Sequence, residues 1–500
     1  MPTGPKVLLA HAYFLAHDAK QWRKMKPYPP LATLLAAAVL RARGFEVVFF
    51  DAMLAGDERE FARALDASGA RIVGILEDNF NFLTKMCTTR NREAALAMVS
   101  AARARGCRVA VNGADATDHA SAYLAAGADA VILGEPEHAM AELAERWADD
   151  PAAPLDAVRG LALDGGTGLD GAPAVRRTPT RPFLEDLDAL PLPAWDLVDS
   201  AAYRTAWMRA HGRLSWNVVT TRGCPFHCNW CAKPLWGTRY AQRSPGNVAD
   251  EVRLLADTVR PDHLWFADDI FGLSPRWTES YAEALAERRV RIPFTLQSRV
   301  DLMTPSAVAA LAAAGAEEVW MGVESGSQRI LDAMDKGTRI GQVRTATRLL
   351  RSHGIRVAWF LQLGYTGETW ADLLATRDLL RSEQPDDVGV SVAYPLPGTL
   401  FHERVKEQLG ARTNWSDSDD LAMMFRGTYT SAFYRRVRDV LHEEVAALSS
   451  GRAGAGTNAA AETRLACDES WRELDDTESL HRSEPPEVEA SGPRLRIARG

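Results

Sequence analysis

Apolar residues fall in two rhythms along residues 6–133. Short unbroken runs rich in Val, Ile, Leu and Phe stand at 6–10, 45–50, 71–76, 108–112 and 130–133. Between them lie stretches with apolar positions three and four apart, at 31–43, 58–68, 94–105 and 120–126. An unbroken run of this length suits a strand covered on both faces, and the second rhythm suits a helix packed by one face. The alternation predicts a doubly wound, Rossmann-like parallel sheet. Pro29 and Pro30 open the first helix, where a missing N–H loses no partner, and Gly44 closes it. Ligands of such sheets sit at the carboxyl ends of the strands. The loops that matter are therefore 11–26, 77–86, 113–118 and 134–137.

A second series begins near Trp195. Apolar runs at 216–221, 263–266, 294–297, 318–322, 356–361 and 387–392 alternate with helical stretches at 247–259, 276–289, 307–314, 340–353 and 370–383. This predicts a partial (β/α)6 barrel, with its site at the carboxyl ends of the strands by analogy with the complete barrel. The segment between the two series reads as a connector. Its runs 158–163 and 174–177 predict a small hairpin, and its proline-bearing stretch 187–194 a stiff linker. Residues 401–408 and 429–448 have helical spacing. Beyond 449 Gly, Ala, Ser, Glu and Pro lose all periodicity, which predicts a disordered tail. The expected fold class is α/β, divided as 1–148 (Rossmann-like domain), 149–195 (linker), 196–405 (partial barrel), 406–448 (helical region) and 449–500 (tail).

Composition changes this picture in a few ways. A chain of 500 residues is too long for one core, in keeping with two or three domains. A net charge of −8 gives no field that would gather nucleic acid. No apolar run reaches the roughly 18 residues of a membrane span, and Met1 to Pro5 lack the layout of a secretory signal. Six cysteines, of which Cys87, Cys107 and Cys467 stand apart, make no disulfide framework. The expectation is a cytoplasmic protein.

The remaining cysteines carry the chemistry. Cys224, Cys228 and Cys231 stand in the octapeptide CPFHCNWC, directly after the run 216–221 and the turn pair Arg222-Gly223. Three thiolates on one short loop can hold three irons of a 4Fe–4S cluster and leave the fourth iron open. A zinc site completed by His227 or a distant ligand is the competing reading, and chance spacing a third. Polar residues recur at the ends of the barrel strands: Asp268 and Asp269, Gln297 and Arg299, Glu324, Tyr365 and Tyr394.

The cysteine spacing resembles the radical S-adenosylmethionine (SAM) superfamily, as do FADDIF at 266–271, GVESGS at 322–327, GYTGET at 364–369 and PLPGT at 395–399. The resemblance implies an open iron that binds the amino and carboxylate groups of SAM. It makes Asp268 or Asp269 a candidate for the amino group and Glu324 for the ribose hydroxyls. Gln297 is a further candidate cofactor contact, and charge type alone suggests Arg299 for the carboxylate. Thr366 replaces the usual proline of its block.

YPPL at 28–31, NGADAT at 112–117 and GEPE at 134–137 resemble the cobalamin-binding domain that precedes many of these enzymes. This implies Pro30, Gly113, Thr117, Gly134 and Glu135 as cobalamin contacts. Asn112, Asp115 and Pro136 depart from the family's glycine, histidine and glycine, and the DxHxxG signature is absent. No motif histidine is thereby assigned to cobalt; His11, His17 and His119 stand alone.

Together the resemblances imply a cobalamin-dependent radical SAM enzyme of the class B methyltransferase type. Its cofactors would be a 4Fe–4S cluster, SAM and cobalamin, and its partner an external flavodoxin or ferredoxin. The implied reaction is methylation of an unactivated carbon of a small-molecule or natural-product substrate. A 5′-deoxyadenosyl radical would take a hydrogen atom and methylcobalamin would supply the methyl group. Oxidative cyclisation or rearrangement without methyl transfer is the alternative. Methylthiolation of tRNA would call for more cysteines in the N-terminal half and a basic tail. Here Cys87 and Cys107 stand apart and the tail is acid-rich.

Overall fold

The computed structural model describes residues 4–167, 173–231, 235–410, 413–452 and 457–483. Strands β1 (Lys6–Ala10), β2 (Glu46–Phe50), β3 (Ile72–Leu76), β4 (Arg108–Asn112) and β5 (Ala130–Ile132) pair in parallel in the order β2-β1-β3-β4-β5. Successive side chains enter opposite cores, which is why the runs are apolar throughout. Leu8, Val73, Val109 and Val131 meet the helices Glu58–Ser68 and Thr89–Ala104. Val7, Leu9, Ile72, Ala110 and Ile132 meet the helices Leu31–Ala42 and Pro136–Asp149. The strand order reverses between β1 and β3, the position where an open α/β sheet leaves a crevice.

The hairpin expected inside the connector is built into this sheet. Strands β6 (Leu161–Thr167) and β7 (Pro173–Arg177) continue it beyond β5 in antiparallel sense.

The second sheet is parallel, in the order β15-β14-β13-β12-β11-β8. Its strands are β8 (Ser215–Val218), β11 (His263–Phe266), β12 (Phe294–Ser298), β13 (Ala316–Glu324), β14 (Arg356–Leu363) and β15 (Asp387–Val392). A small antiparallel pair, β9 (Thr221–Arg222) and β10 (Ala241–Gln242), flanks the cysteine loop. The run 216–221, expected as one strand, is broken because the N–H groups of Thr220 and Thr221 turn to the Asp268 carboxylate at 2.8 and 2.6 Å.

The first domain covers the open edge of the half-barrel at β8. Asn217 donates to the Pro29 carbonyl at 2.9 Å, Tyr28 and Ser215 hydroxyls lie 3.0 Å apart, and Trp207 donates to the Pro27 carbonyl at 2.7 Å. A turn at 413–420 is wedged beside both domains. Trp415 stacks on Tyr394 at 4.2 Å, its carbonyl accepts from Thr89 N–H at 2.9 Å, and the Ser418 hydroxyl bonds Asp18 at 2.8 Å.

The expected disordered tail is corrected over its first part. Residues Thr457–Thr477 form a helix against the helix Ser431–Arg452. Cys467, Trp471 and Leu474 are buried on its inner face, and Trp471 donates to Glu444 at 3.0 Å. Residues 484–500 lie outside the described residues. Among the described residues no helix is long and apolar enough to cross a membrane.

Candidate active site

The cysteine loop is shaped before any metal enters it. Gly223 has φ +77°, and a Cβ there would lie 2.1 Å from the Arg239 carbonyl oxygen, so only glycine can turn the chain into Cys224. Cys224, Cys228 and Cys231 are half-buried and in no disulfide. Between the last two, Asn229 is buried and fixed on every side. Its N–H donates to Met334 O at 3.0 Å, and its carbonyl accepts from Phe401 N–H at 2.9 Å. Its Nδ2 donates to Ala333 O and Asp335, each at 2.8 Å, and its Oδ1 accepts from the Tyr365 hydroxyl at 2.7 Å. Among the described residues no group of three His, Cys, Asp or Glu side chains is drawn together as a ready metal cage. The donor set fits an iron–sulfur cluster: three soft sulfur donors on one loop and, among the described residues, no cage that includes a fourth ligand. A structural zinc site would need that fourth ligand.

The acids and bases at the strand ends divide sharply. Asp268 is fully buried and accepts from both N–H groups and both hydroxyls of Thr220 and Thr221, at 2.6 to 3.1 Å. Burial pushes its carboxyl up to about 6, against those hydrogen bonds. It shapes the entry to the cysteine loop and is not available to a cofactor amino group, contrary to expectation. Asp269 is partly exposed and pairs with Lys85 of the β3 loop at 2.5 Å. Gln297 donates to the Asp268 carbonyl at 3.4 Å.

Glu324 ends β13 with φ +64°, a left-handed conformation costly for a non-glycine residue, at a register shift between β13 and β14. Its Oε1 lies 2.7 Å from Lys336 Nζ, and both side chains are buried. Burial alone would lower the Lys336 ammonium, but Glu324 beside it and the nearby Cys228 hold it above its usual range. Arg299, expected to clasp a carboxylate, is spent elsewhere. Its Nε and Nη2 bond Asp301 at 2.9 and 3.1 Å, and Nη2 also bonds the Lys336 carbonyl at 2.9 Å.

At the crevice between β1 and β3, the first sheet presents His11 and Glu77. His11 is fully buried, and its Nε2 lies 3.0 Å from the Asp51 carboxylate and 3.1 Å from Ala52 N. Its Nδ1 is buried without a partner. Glu77 accepts from Ala12 N–H at 2.9 Å through Oε1, while Oε2 is buried without a partner. Burial raises the Glu77 carboxyl to about 7, with His11 opposing. Beside them Gly113 has φ +156°, and a Cβ there would stand 2.8 Å from Glu77 Cγ. Two unsatisfied buried groups next to a backbone bare of side chain fit a large polar cofactor at the switch point.

The other expected cobalamin contacts are otherwise engaged. The Thr117 hydroxyl donates to the Gly113 carbonyl at 2.8 Å. Pro30 caps the helix Leu31–Ala42, beside the Pro29 carbonyl that holds the barrel edge. Gly134 has φ +85°, and its carbonyl accepts from Asn112 Nδ2 at 2.9 Å. Asn112, standing in place of a glycine, also bonds the Ile132 carbonyl and Asn79, and so staples the ends of β4 and β5. Asp115, standing in place of a histidine, is clamped by Arg92 at 2.5 to 3.1 Å and by the Tyr123 hydroxyl at 2.8 Å.

Glu135 and Glu137 bind the cysteine side of the molecule: Arg222 Nη1 lies 2.5 Å from Glu135 and Nη2 2.6 Å from Glu137. Arg222 is 2% exposed and packs against both Phe80 and Trp236, which stack on each other. Sequence reasoning missed Arg222, Asn229 and Lys336. The one signal for Arg222 was its place next to Gly223 and Cys224; Asn229 lay unremarked inside the motif itself.

Comparisons with known proteins follow this division. Residues 218–380 match the radical SAM superfamily and residues 26–144 match the B12 binding domain. An uncharacterised methyltransferase of Pyrococcus horikoshii is 27% identical over 325 residues, 61% of this chain and 68% of that protein. An anaerobic magnesium-protoporphyrin IX monomethyl ester cyclase of Rubrivivax gelatinosus is 28% identical over 283 residues, 55% of this chain and 49% of the cyclase. The chain thus spans about two thirds of the first relative and half of the second. Among solved structures, the radical SAM methyltransferase TsrM from Kitasatospora setae, with cobalamin and a 4Fe-4S cluster bound, superposes with a TM-score of 0.63. That match is 19% identical and covers 81% of this chain and 75% of TsrM, a likeness of fold.

Proposed function

We infer, from the premise that this chain is a radical SAM protein of the cobalamin-dependent, methyltransferase-like family, that it methylates an unactivated carbon of a small-molecule substrate. One observation carries the reading. The thiol loop and the β1–β3 crevice meet across one interface, bridged by Lys85–Asp269 and by Arg222 with Glu135 and Glu137. When bound there, a 4Fe–4S cluster with SAM supplies a 5′-deoxyadenosyl radical and cobalamin supplies a methyl group.

The chain's own residues bind and orient. Cys224, Cys228 and Cys231 hold the cluster, and Asn229 and Tyr365 keep their loop in place. Glu324, fixed by Lys336, would hold the ribose hydroxyls of SAM, and Asp269 and Gln297 would be further contacts to it. His11 Nδ1, Glu77 Oε2 and the bare backbone of Gly113 would hold cobalamin. An external flavodoxin or ferredoxin delivers the electron.

The test is anaerobic protein reconstituted with iron, sulfide and hydroxocobalamin. About four irons, a retained cobalamin band and a product heavier by one methylene are the expected results, with the cluster lost in Cys224→Ala. Zinc in place of iron, or a cluster without cobalamin, would overturn the methylase reading. The similarity to a ring-forming cyclase favours one second reading, oxidative ring closure. Its product would be lighter by two hydrogens, and the same mass measurement separates the two.

A further inference from the structure

We propose that Arg299 is a positioning residue for the iron–sulfur cluster, fixing the Cys228 sulfur and raising the reduction potential. The inference rests on the reading that Cys224, Cys228 and Cys231 hold a cluster.

Arg299 is 6% exposed, and its guanidinium is locked from three directions. Asp301 takes Nε and one edge of Nη2, at 2.9 and 3.1 Å. The Lys336 carbonyl takes Nη2 at 2.9 Å. The ring of Phe226, two residues before Cys228, lies 3.7 Å beneath the guanidinium carbon. What the fork has left is Nη1, and Nη1 lies 3.8 Å from Cys228 Sγ. Phe226 and Cys228 are thus held by one rigid cation through a ring face and an N–H···S contact. The same commitments leave no paired N–H groups for the carboxylate of SAM.

Reduction adds one electron to the cluster, part of whose charge rests on the cysteine sulfurs. An N–H donor aimed at such a sulfur stabilises the reduced form more than the oxidised one and raises the potential. Asp301 largely neutralises the guanidinium, so the present effect comes chiefly from the directed N–H. The two partners should therefore act with opposite sign. Arg299→Gln removes the donor and lowers the potential. Asp301→Asn keeps the donor, uncovers its charge and raises the potential. A merely structural arginine would give no such reversal.

The experiment uses the full chain, reconstituted anaerobically as wild type, R299Q and D301N. Iron and sulfide are counted, and the cluster signal is followed by electron paramagnetic resonance in a titration with dithionite, the external one-electron reductant. The expected midpoints fall for R299Q and rise for D301N against wild type. Equal midpoints at equal iron content would overturn the proposal. Failure of the wild type to take iron would instead sink the cluster reading beneath it. Should R299Q alone fail to load, hydrogen exchange of the apo proteins decides. Faster exchange of the 224–231 amides in R299Q is expected, and exchange equal to wild type overturns the clamp.

Discussion

Around Cys228 and Asn229 most polar side chains are already bonded, the Trp230 indole N–H excepted. Asp268 is consumed by Thr220 and Thr221, Arg299 by Asp301 and the Lys336 carbonyl, and Glu324 Oε1 by Lys336. Across the interface, at the crevice between β1 and β3, His11 Nδ1 and Glu77 Oε2 are buried with nothing to bond. A cluster is tied by covalent bonds from three thiolates, so the protein around it needs only to hold the loop still. A corrin is held by many weak contacts, and the groups that make them must be left unsatisfied in the folded chain. The thiol loop is held rigid through the bonded Asn229, while the crevice keeps His11 Nδ1 and Glu77 Oε2 in reserve.

The largest effects should come from the rigid end. Replacing Cys224, Cys228 or Cys231 by alanine is expected to abolish cluster loading and product formation, read by iron content and product mass. A variant that kept four irons would move the cluster elsewhere and break the comparison. Next in size is Arg222→Met, which strands Glu135 and Glu137 without their cation in a buried place. Removing one partner of a buried ion pair costs about 3–5 kcal/mol, visible as a lower urea midpoint. Adding Glu137→Gln to Arg222→Met should return part of that loss. A near-neutral Arg222→Met would mean that the two domains do not depend on this joint.

What could be read from the sequence follows the same division. The cysteine motif was legible because covalent ligands must be of one residue type at one spacing. Both sheets were legible because strands covered on both faces must be apolar throughout, as Val7 to Ala10 and Val357 to Leu361 are. The work of Asp268 was not legible: an acid at a strand end marks a place, but its partners Thr220 and Thr221 lie 48 and 47 positions earlier. Arg222 finds Glu135 87 positions away, and no local pattern encodes that pairing. The helix Thr457–Thr477 was hidden because alanines are commonest in its first half and acids in its second. Its buried stripe of Cys467, Trp471 and Leu474, at helical spacing, was the signal to follow.

A smaller effect is expected at the reserve end from Gly113→Val. The added side chain would meet Glu77 Cγ, where even a Cβ stands at 2.8 Å. Overpacking of this kind costs about 1–3 kcal/mol. The sharper readout is cobalamin retention through gel filtration, expected to fall while iron loading stays at the wild-type level. Loss of both together would mean that the two ends are not separate devices.

The subtlest test is Glu77→Gln in protein free of cobalamin. Burial raises the Glu77 carboxyl from its usual range to about 7, so between pH 4.5 and 7 the folded chain holds a proton that the unfolded chain has lost. Stability from this group is therefore complete below about pH 4.5 and drains away as the pH rises through 7. Glutamine cannot ionise. The variant should match wild type in urea at pH 5 and exceed it at pH 8, by about 1–2 kcal/mol. Its affinity for hydroxocobalamin should fall over the same range, because a group kept unsatisfied for a ligand costs stability until the ligand arrives. A variant less stable than wild type at pH 8 would show that the Glu77 carboxylate is already satisfied in the folded chain, and the contrast between a spent end and a reserve end would fail there.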